Sequence, residues 1–401
     1  MLLDRYFPPD IRVEKEARSL VKAGHEVFLL SMGRGDLAAE EEVEGIRVIR
    51  VSMPQELTRR VPNYVCVRMI HVHPFWKRAL DDVVRKHKVE VIHIHDLPLV
   101  KTGLSVAGTC GIPLVADLHE NYPEAIRSYQ ARGLSRLTKP MSVMRLKRLE
   151  RHCVRKSDKV VTVVEQAKNH YINDCGIPAD KVCVVMNCED SGYFCSLPLD
   201  CDIVDKYERD FVISYIGGFG IHRGLHTAIS SMRHILKEIP QARLLLVGKG
   251  AYEVALRQLA TSEGVENRVE FVGWQPFSLV PSYVVASDVC LVPHIASGHT
   301  NTTIPHKLFQ YMAMSKPLVV SSARPLECIV RETGAGLVFP SGDPEALARE
   351  VIRLYRDDSL CAEMGRAGKR ATEDIYNWEM EGEKLVNLYL QLSMQYGRCM
   401  N

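Results

Sequence analysis

The stretch FVISYIGGFGIHRGLHTAISSMRHILKEI (211–239) decides the fold. An apolar, β-branched run of strand length meets a glycine-rich turn, and the turn leads into a segment with helical periodicity. Such a turn gathers backbone N–H groups, the positive end of a helix dipole and the cation of Arg223 at one strand end. Gly217, Gly218 and Gly220 let the backbone approach an anion closely, and a planar guanidinium suits a diphosphate. The stretch predicts an α/β domain with a phosphate site, and a plain strand-to-helix turn is the alternative.

The same alternation of strand and helix patterns runs through the rest of the chain. Strand-like runs lie at residues 25–31, 89–95, 112–119, 158–164, 180–187, 242–248, 269–273, 288–293, 316–321 and 335–339. Strands that alternate with helices are typical of βαβ units and parallel sheets.

Residues 188–210 lose this periodicity and are rich in acidic residues, so we place a linker there. We therefore predict an α/β protein with two Rossmann-like parallel-sheet domains, residues 1–195 and 205–377, that face a cleft. The last long helix, within about residues 378–401, is expected to pack back on the first domain. Ligands are expected at the carboxyl ends of the strands.

The composition excludes several classes of protein. Hydrophobic residues make up 46% of the 401 residues, which is typical of a globular protein, and a net charge of +2 argues against a dedicated nucleic-acid partner. No apolar run approaches the roughly 18 residues that span a bilayer, and the opening MLLDRYFPPD lacks a secretory pattern, so we expect a cytoplasmic protein. The twelve cysteines form no CxxC pair, which predicts reduced thiols and no metal site.

Two further observations narrow the ligand of the second domain. Arg223 replaces the third glycine of a dinucleotide fingerprint, and the next strand ends at Gly248 without an acid, so a nicotinamide cofactor is disfavoured. In the segment 302–321, Lys307 and Gln310 lie three residues apart on one helix face. We expect Lys307 to meet phosphate and Gln310 to hydrogen-bond a sugar hydroxyl, and an ordinary surface helix is the alternative.

Histidines follow two strands of the first domain. His119 stands at the end of one strand, where it can donate to a phosphate or a sugar hydroxyl or act as a base. His93, His95 and Asp96 stand at the end of another. We predict that His93 and His95 point to opposite faces of their strand, which disfavours a shared metal site, and we assign His93 a structural role.

Together these placements make the chain similar to the family 4 glycosyltransferases of the GT-B fold. The matching stretches are PPDIRVEKEARSLVKAGHEV (8–27), DLHENYPE (117–124), YIGGFGIHRGL (215–225), LLLVGKG (244–250), VEFVGW (269–274) and TTIPHKLFQYMAMSKPLVVS (302–321). The resemblance implies retaining transfer of a sugar from a nucleotide diphosphate donor, with no cofactor and no essential metal.

The resemblance also assigns roles to single residues. Arg223 takes the place of the basic residue that holds the donor diphosphate, and His119 that of the first domain's histidine near the sugar and phosphate. Lys307 belongs to a PxK form of the helix that resembles transferases of bacterial surface sugars. The catalytic candidates are thus His119, Arg223 and Lys307. The donor-binding candidates are Gly217, Gly218, Gly220, Gly248, Thr302, Thr303 and Gln310.

The chain also departs from the family pattern. Thr302 and Gln310 stand where the family usually has two glutamates. Without these glutamates the sequence does not identify the donor sugar, and an inactive homologue is an alternative. Gly218 stands where a second cation is usual, and Lys307 is expected to substitute for it. Only MLL precedes Asp4, where a fuller first strand is usual, so we expect a weakened acceptor loop at 8–12.

Residues 132–159 carry the sharpest charge asymmetry in the chain, with ten Lys or Arg against two acids and interleaved apolar residues. A basic amphipathic segment favours docking on an anionic membrane, here the inner face. A helix with a packed apolar side and a solvated basic side is the alternative. The candidate membrane or acceptor contacts are Arg136, Lys139, Arg145, Lys147 and Arg148.

We therefore expect a retaining, hexosyltransferase-like enzyme that transfers a sugar from a nucleotide-sugar donor to a saccharide or lipid-linked acceptor. A nucleotide-sugar 2-epimerase is an alternative, although it needs cleft carboxylates that the sequence does not display. A non-catalytic subunit that binds sugar nucleotides is another. The sequence leaves open the base, the sugar, the acceptor and the linkage.

Overall fold

The computed structural model describes residues 1–33, 35, 37–52, 72–130 and 139–397, of which 129, 130 and 139–142 are described by their backbone only. These residues form two compact units, one of Met1–Met186 with Glu379–Asn401 and one of Asn187–Trp378. The division falls after Met186, so residues 187–195, which we assigned to the first domain, belong to the second unit. They belong there because the side chains of Asn187 and Glu189 hydrogen-bond within it.

The first unit is built around a sheet with the strand order β3-β4-β2-β1-β5-β6-β7-β8. Every strand pairs in parallel except β3, which is antiparallel to β4. The strands are β1 (Leu2–Tyr6), β2 (Val27–Met32), β3 (Glu40–Val43), β4 (Ile46–Val51), β5 (Ile92–His95), β6 (Leu114–Leu118), β7 (Lys159–Thr162) and β8 (Val182–Val184). The sequence analysis did not predict the β3–β4 hairpin.

Helices connect these strands. They are α1 (Ile11–Lys22), α2 (Pro74–His87), α3 (Leu97–Cys110), α4 (Tyr122–Gln130), α5 (Lys139–Lys156) and α6 (Glu165–Asn173). Helix α1 shows how the sequence sets one of these boundaries. The Asp10 side chain accepts a hydrogen bond from Val13 N, and the Glu14 side chain accepts one from Asp10 N, which is a reciprocal cap. This cap directs Arg12 and Glu16 towards the sheet, where both are buried.

The second unit contains a parallel sheet with the order β11-β10-β9-β12-β13-β14. Its strands are β9 (Phe211–Ile216), β10 (Ala242–Val247), β11 (Val269–Gly273), β12 (Val289–Val292), β13 (Leu318–Ser321) and β14 (Gly336–Phe339). The near-continuous Val, Ile and Leu of these strands fit a sheet that is buried on both faces.

The helices of the second unit cover that sheet. They are α7 (Ser191–Ser196), α8 (Cys201–Asp205), α9 (Leu225–Glu238), α10 (Glu253–Ser262), α11 (Val280–Val285), α12 (His306–Ala313), α13 (Arg324–Thr333), α14 (Pro344–Tyr355) and α15 (Asp358–Asp374). Helices α7 and α8 occupy the segment that we predicted as a linker. The predicted strand, glycine turn and helix over 211–239 are confirmed as β9, the turn and α9.

The final helix, α16 (Trp378–Tyr396), returns to the first unit from residue 379 onwards, which confirms the predicted packing. Leu385, Leu388 and Leu392 are buried there, and Tyr389 reaches a histidine of β5. Within the described ranges, no helix is long and apolar enough to cross a membrane. The cysteines in the same ranges form no disulfide, as expected for reduced thiols.

Candidate functional site

The glycine turn after β9 needs glycine for two physical reasons. Gly217 has a φ of +137°, which L side chains rarely adopt, and a Cβ there would lie 2.5 Å from the Lys307 Nζ atom. Gly248, at the end of β10, has the same φ, and its Cβ would collide with the Gly217 carbonyl group. The two glycines therefore keep the backbone of two neighbouring strand ends close together and leave room for the lysine.

Lys307 lies in the first turn of α12 and its side chain is buried against this glycine turn. Its Nζ atom lies 3.4 Å from the centroid of the Tyr215 ring and makes no hydrogen bond to any described residue. Burial, and then the charge of Arg223, lower the pKa of Lys307 well below its usual value. Lys307 is thus a buried amine with unused hydrogen-bonding capacity.

Arg223 closes the turn of 3₁₀ helix at Ile221–Arg223, and α9 begins two residues later. Its Nη1 atom lies 3.2 Å from His294 Nε2, so the imidazole accepts from the guanidinium. The charges of Arg223 and Lys307 both lower the pKa of His222 and His294. The predicted phosphate turn therefore brings the side chains of Arg223 and Lys307 together.

Three histidines surround Arg223, and the sequence analysis missed all of them. Burial, followed by the charge of Arg223, lowers the pKa of His222 to about 3 and that of His299 to about 4, and holds that of His294 well below its usual value. At neutral pH these rings are uncharged donors and acceptors. Their signals in the sequence are His222 in the turn after β9 and the run HIASGH (294–299), which begins two residues after β12.

Gln310 lies on the same helix as Lys307, as predicted, but its amide is already engaged. The Gln310 Nε2 atom donates to Glu189 Oε2 over 2.7 Å, and both residues are buried. A buried carboxylate thus lies beside position 310, where the family usually has a glutamate. The predicted contact of Gln310 with a ribose stays a prediction.

Thr302 and Thr303 lie between a turn of 3₁₀ helix, Thr300–Thr302, and α12. The Thr302 hydroxyl donates to the Gly298 carbonyl oxygen over 2.9 Å, so it stabilises its own turn. Thr303 is half-buried in an extended conformation at the end of that turn. Their predicted contacts with a donor sugar also remain predictions.

His119 follows β6 in the first unit, and its side chain is 18% exposed. Its Nε2 atom lies 2.7 Å from Asp117 Oδ2, so a fully buried carboxylate orients the ring. Burial alone would raise the pKa of Asp117, but the charges of Arg12 and His119 hold it well below its usual value. An oriented imidazole at a strand's carboxyl end suits the predicted contact with a substrate.

The prediction that His93 and His95 point to opposite faces was wrong, because residues i and i+2 of a strand share a face. Their ring centroids lie 4.7 Å apart, and both rings face Asp117. Glu16 of α1 completes this cluster, and the sequence analysis missed it. The spacing of Arg12 and Glu16, one helical turn apart beside apolar positions, was the available signal.

The structure describes only part of the basic segment 132–159. Arg145, Lys147 and Arg148 are exposed on α5, and Lys147 Nζ pairs with Glu124 over 2.7 Å. Leu146 and Leu149 of the same helix are buried. Arg136 and the side chain of Lys139 lie outside the described residues. The apolar side of α5 packs within the first unit, as the solvated-helix alternative requires, and membrane docking stays a prediction.

Two Rossmann-like parallel-sheet units of this kind have the architecture of the GT-B fold. The model Glycosyltransferase Family 4 matches residues 11–191, and the model Glycosyl transferases group 1 matches residues 201–371. The chain belongs to glycosyltransferase family 4, as the sequence resemblance predicted.

Relatives and solved structures agree with this assignment. An uncharacterized glycosyltransferase of Methanocaldococcus jannaschii is 24% identical over 95% of this chain and 94% of its own length. A GDP-mannose-dependent monoacylated α-(1-6)-phosphatidylinositol monomannoside mannosyltransferase of Corynebacterium glutamicum is 30% identical over 41% of this chain and 43% of its own. The Anabaena protein HepE, solved in complex with UDP, has a TM-score of 0.73 at 16% identity and covers 97% of this chain and 99% of its own.

Proposed function

We propose that this glycosyltransferase takes its sugar from a nucleotide diphosphate sugar and that the second unit holds the donor diphosphate at Arg223, Lys307 and the glycine turn. The observation that carries the proposal is the buried Lys307 Nζ atom, which lacks a hydrogen-bond partner among the described residues and lies beside the turn at Gly217. A diphosphate would supply acceptors and negative charge to both cations at once. HepE binds UDP in its crystal structure, which supports a nucleotide ligand.

The proposed residues act on the negative charge that develops on the leaving group. When the bond between the sugar and the diphosphate breaks, the leaving group gains negative charge. Arg223, Lys307 and the backbone N–H groups of the turn stabilise that charge from fixed positions. In metal-dependent transferases, a divalent ion stabilises this negative charge. Arg223 and Lys307 would do so here, so the proposed transfer needs no essential metal and no other cofactor.

The finer features of the reaction belong to the same proposal. The sugar is transferred with retention, as the family resemblance implies, to a hydroxyl of a saccharide or a lipid-linked acceptor. The Corynebacterium relative is named for a phosphatidylinositol-linked acceptor, and the exposed basic side of α5 suits an anionic membrane surface. His119, oriented by Asp117, is our candidate for a hydrogen bond to substrate in the first unit. A cytoplasmic location remains a prediction of the sequence.

Thermal unfolding with UDP, GDP, ADP and NAD tests the donor site. UDP or GDP at a hundred times its dissociation constant is expected to stabilise the protein by about 2.7 kcal/mol. The Arg223→Ala variant should lose this response, and Arg233→Ala, which removes an arginine from the exposed side of α9, should keep it. A well-folded protein that responds to no nucleotide diphosphate would contradict the proposal.

Product analysis then separates the proposed reaction from its alternatives. With the sugar nucleotides of the responding base and a panel of acceptors, transfer to the acceptor supports the transferase, and the anomeric configuration read by NMR tests retention. Interconversion of sugar nucleotides without acceptor would instead identify an epimerase. Binding without turnover would identify a non-catalytic partner subunit.

A further inference from the structure

We propose that the first unit binds one divalent transition-metal ion, with zinc the best fit, through Glu16, His93, His95 and Asp117. These side chains come from α1, β5 and β6, and all four are buried. One ligand atom of each lies within 4.8 Å of the others. The site is separate from the cations of the second unit, and its existence does not depend on the proposed function.

The distances between the ligand atoms match a tetrahedral site. Zinc bonds to histidine nitrogen or carboxylate oxygen measure about 2.0–2.1 Å, so neighbouring ligand atoms of a tetrahedron lie about 3.3 Å apart. Asp117 Oδ2 lies 3.3 Å from His95 Nδ1 and 3.4 Å from His93 Nε2. Glu16 Oε2 lies 3.7 Å from His93 Nε2 and 3.9 Å from His95 Nδ1. Movement of Glu16 by about half an ångström would bring its two distances to the tetrahedral value, and the other pairs of ligand atoms lie within 4.8 Å of each other.

Several of these buried atoms make no hydrogen bond. Among the described residues, Glu16 Oε2 and both ring nitrogens of His95 have no hydrogen-bond partner, whereas Glu16 Oε1 pairs with Arg12. Buried polar groups of folded proteins are nearly always satisfied, because leaving one unpaired costs free energy. Burial also lowers the pKa of His93 and His95, so both rings are neutral and can ligate a metal at pH 7.

The surrounding contacts turn the ligand atoms inward. Arg12 Nη2 lies 2.8 Å from Glu16 Oε1 and 3.1 Å from Asp117 Oδ1, so it engages the outer oxygen of each carboxylate. The Tyr389 hydroxyl lies 2.8 Å from His93 Nδ1, which leaves Nε2 to face the cluster. Metal-bound histidines usually hydrogen-bond a neighbour through the other ring nitrogen in this way.

The charge balance also favours a cation. Among the described residues, Arg12 is the one guanidinium paired with the two buried carboxylates, so one guanidinium charge faces two carboxylates. Two imidazole nitrogens and two carboxylate oxygens form a donor set that zinc accepts.

Metal analysis of the full chain tests the proposal. The purified protein is dialysed against a chelator, reloaded with zinc, passed over a desalting column and assayed by elemental analysis. We expect one zinc per chain, and cobalt in its place should give the visible absorption of a tetrahedral site. Less than about a tenth of an equivalent of zinc, with no cobalt band, would overturn the proposal.

Variants locate the ion. His95→Gln should lower the zinc affinity by more than about 100-fold, the upper end of what outer-contact substitutions cost. His234→Gln is the control, because His234 lies in the second unit near Glu345 and belongs to neither candidate metal cluster of the described residues. Zinc that survives His95→Gln, or that is lost equally in His234→Gln, would also overturn the proposal. If His95→Gln does not fold, Glu16→Gln, which keeps the side-chain shape, replaces it in the same comparison.

Discussion

Replacing Lys307 by methionine is expected to stabilise the ligand-free protein while it weakens nucleotide binding. The Nζ atom is buried and makes no hydrogen bond to a described residue, and its one ring contact is with Tyr215. Leaving a charged donor such as this one unsatisfied costs about 3 kcal/mol, the upper end of the range for neutral donors. The desolvated contact between cation and ring returns about 2 kcal/mol of this. Methionine fills a similar volume without the charge, so the net gain should be about 1 kcal/mol.

This gain corresponds to a rise in Tm of about 2–4 °C for a unit of this size. Nucleotide affinity should fall about 10- to 100-fold, because a charge-assisted hydrogen bond contributes about 1.5–3 kcal/mol. Thermal unfolding with and without the responding nucleotide measures both effects. Lys249→Met is the stability control, since Lys249 is exposed and also lies over an aromatic ring, that of Trp274. A destabilised Lys307→Met protein with an unchanged nucleotide response would refute the reasoning.

The stability difference should also depend on pH in a defined direction. Burial and Arg223 lower the pKa of Lys307 well below its ordinary 10.5 in the folded protein. Between the lowered pKa and 10.5 the unfolded chain therefore binds more protons, and the free energy of unfolding of the wild type rises with pH. The advantage of Lys307→Met should be largest below the lowered pKa and shrink as the pH rises towards 10.5.

Three further predictions follow from single contacts. Gly217→Ala should lower nucleotide affinity more than 10-fold, because the added Cβ would lie 2.5 Å from Lys307 Nζ. Gly264→Ala is the control, since Gly264 also has a positive φ but its Cβ would have no neighbour within 4 Å, and this variant should keep its nucleotide affinity in the same titration. Gln310→Glu should destabilise the protein by about 1–3 kcal/mol in denaturant unfolding because it faces Glu189, and adding Glu189→Gln should restore stability; a double variant no more stable than the single one would contradict this. Burial alone would lower the pKa of His170, but its hydrogen bonds to Glu150 and Asp174 raise it. His170 should therefore contribute about 1 kcal/mol to the free energy of unfolding below pH 6.5, and this contribution should be lost as the pH rises through the raised pKa. Unfolding of wild type and His170→Gln at several pH values should show the difference, and parallel pH profiles would argue against it.

The parts of the fold that the sequence predicted correctly depend on local patterns. β9, the glycine turn and α9 follow each other without a break, and each has its own signal of periodicity or turn chemistry. Arg223 and Lys307 were predicted because both stand next to recognisable helix starts. The contact of Arg223 with His294 was not predictable, because it depends on how the segments that follow β9 and β12 pack together.

The parts that were missed depend on contacts between distant segments. Glu16 meets His93 and His95 only in the folded chain, and its helical spacing from Arg12 does not identify these partners. The bond between Gln310 and Glu189 likewise joins residues 121 positions apart. The two strand histidines are a different case, because their shared face follows from the period of a strand, and a correct application of that period would have predicted it.

The hydrogen bond between Tyr389 and His93 has a consequence for the order of synthesis. Because α16 belongs to the first unit, that unit is completed only after the whole second unit has left the ribosome. The second unit, a continuous segment of chain, can fold while translation proceeds. Until α16 is made, the part of the first unit that it covers stays exposed to solvent. Premature termination upstream of α16 should therefore harm the earliest-made part of the protein more than the part made last.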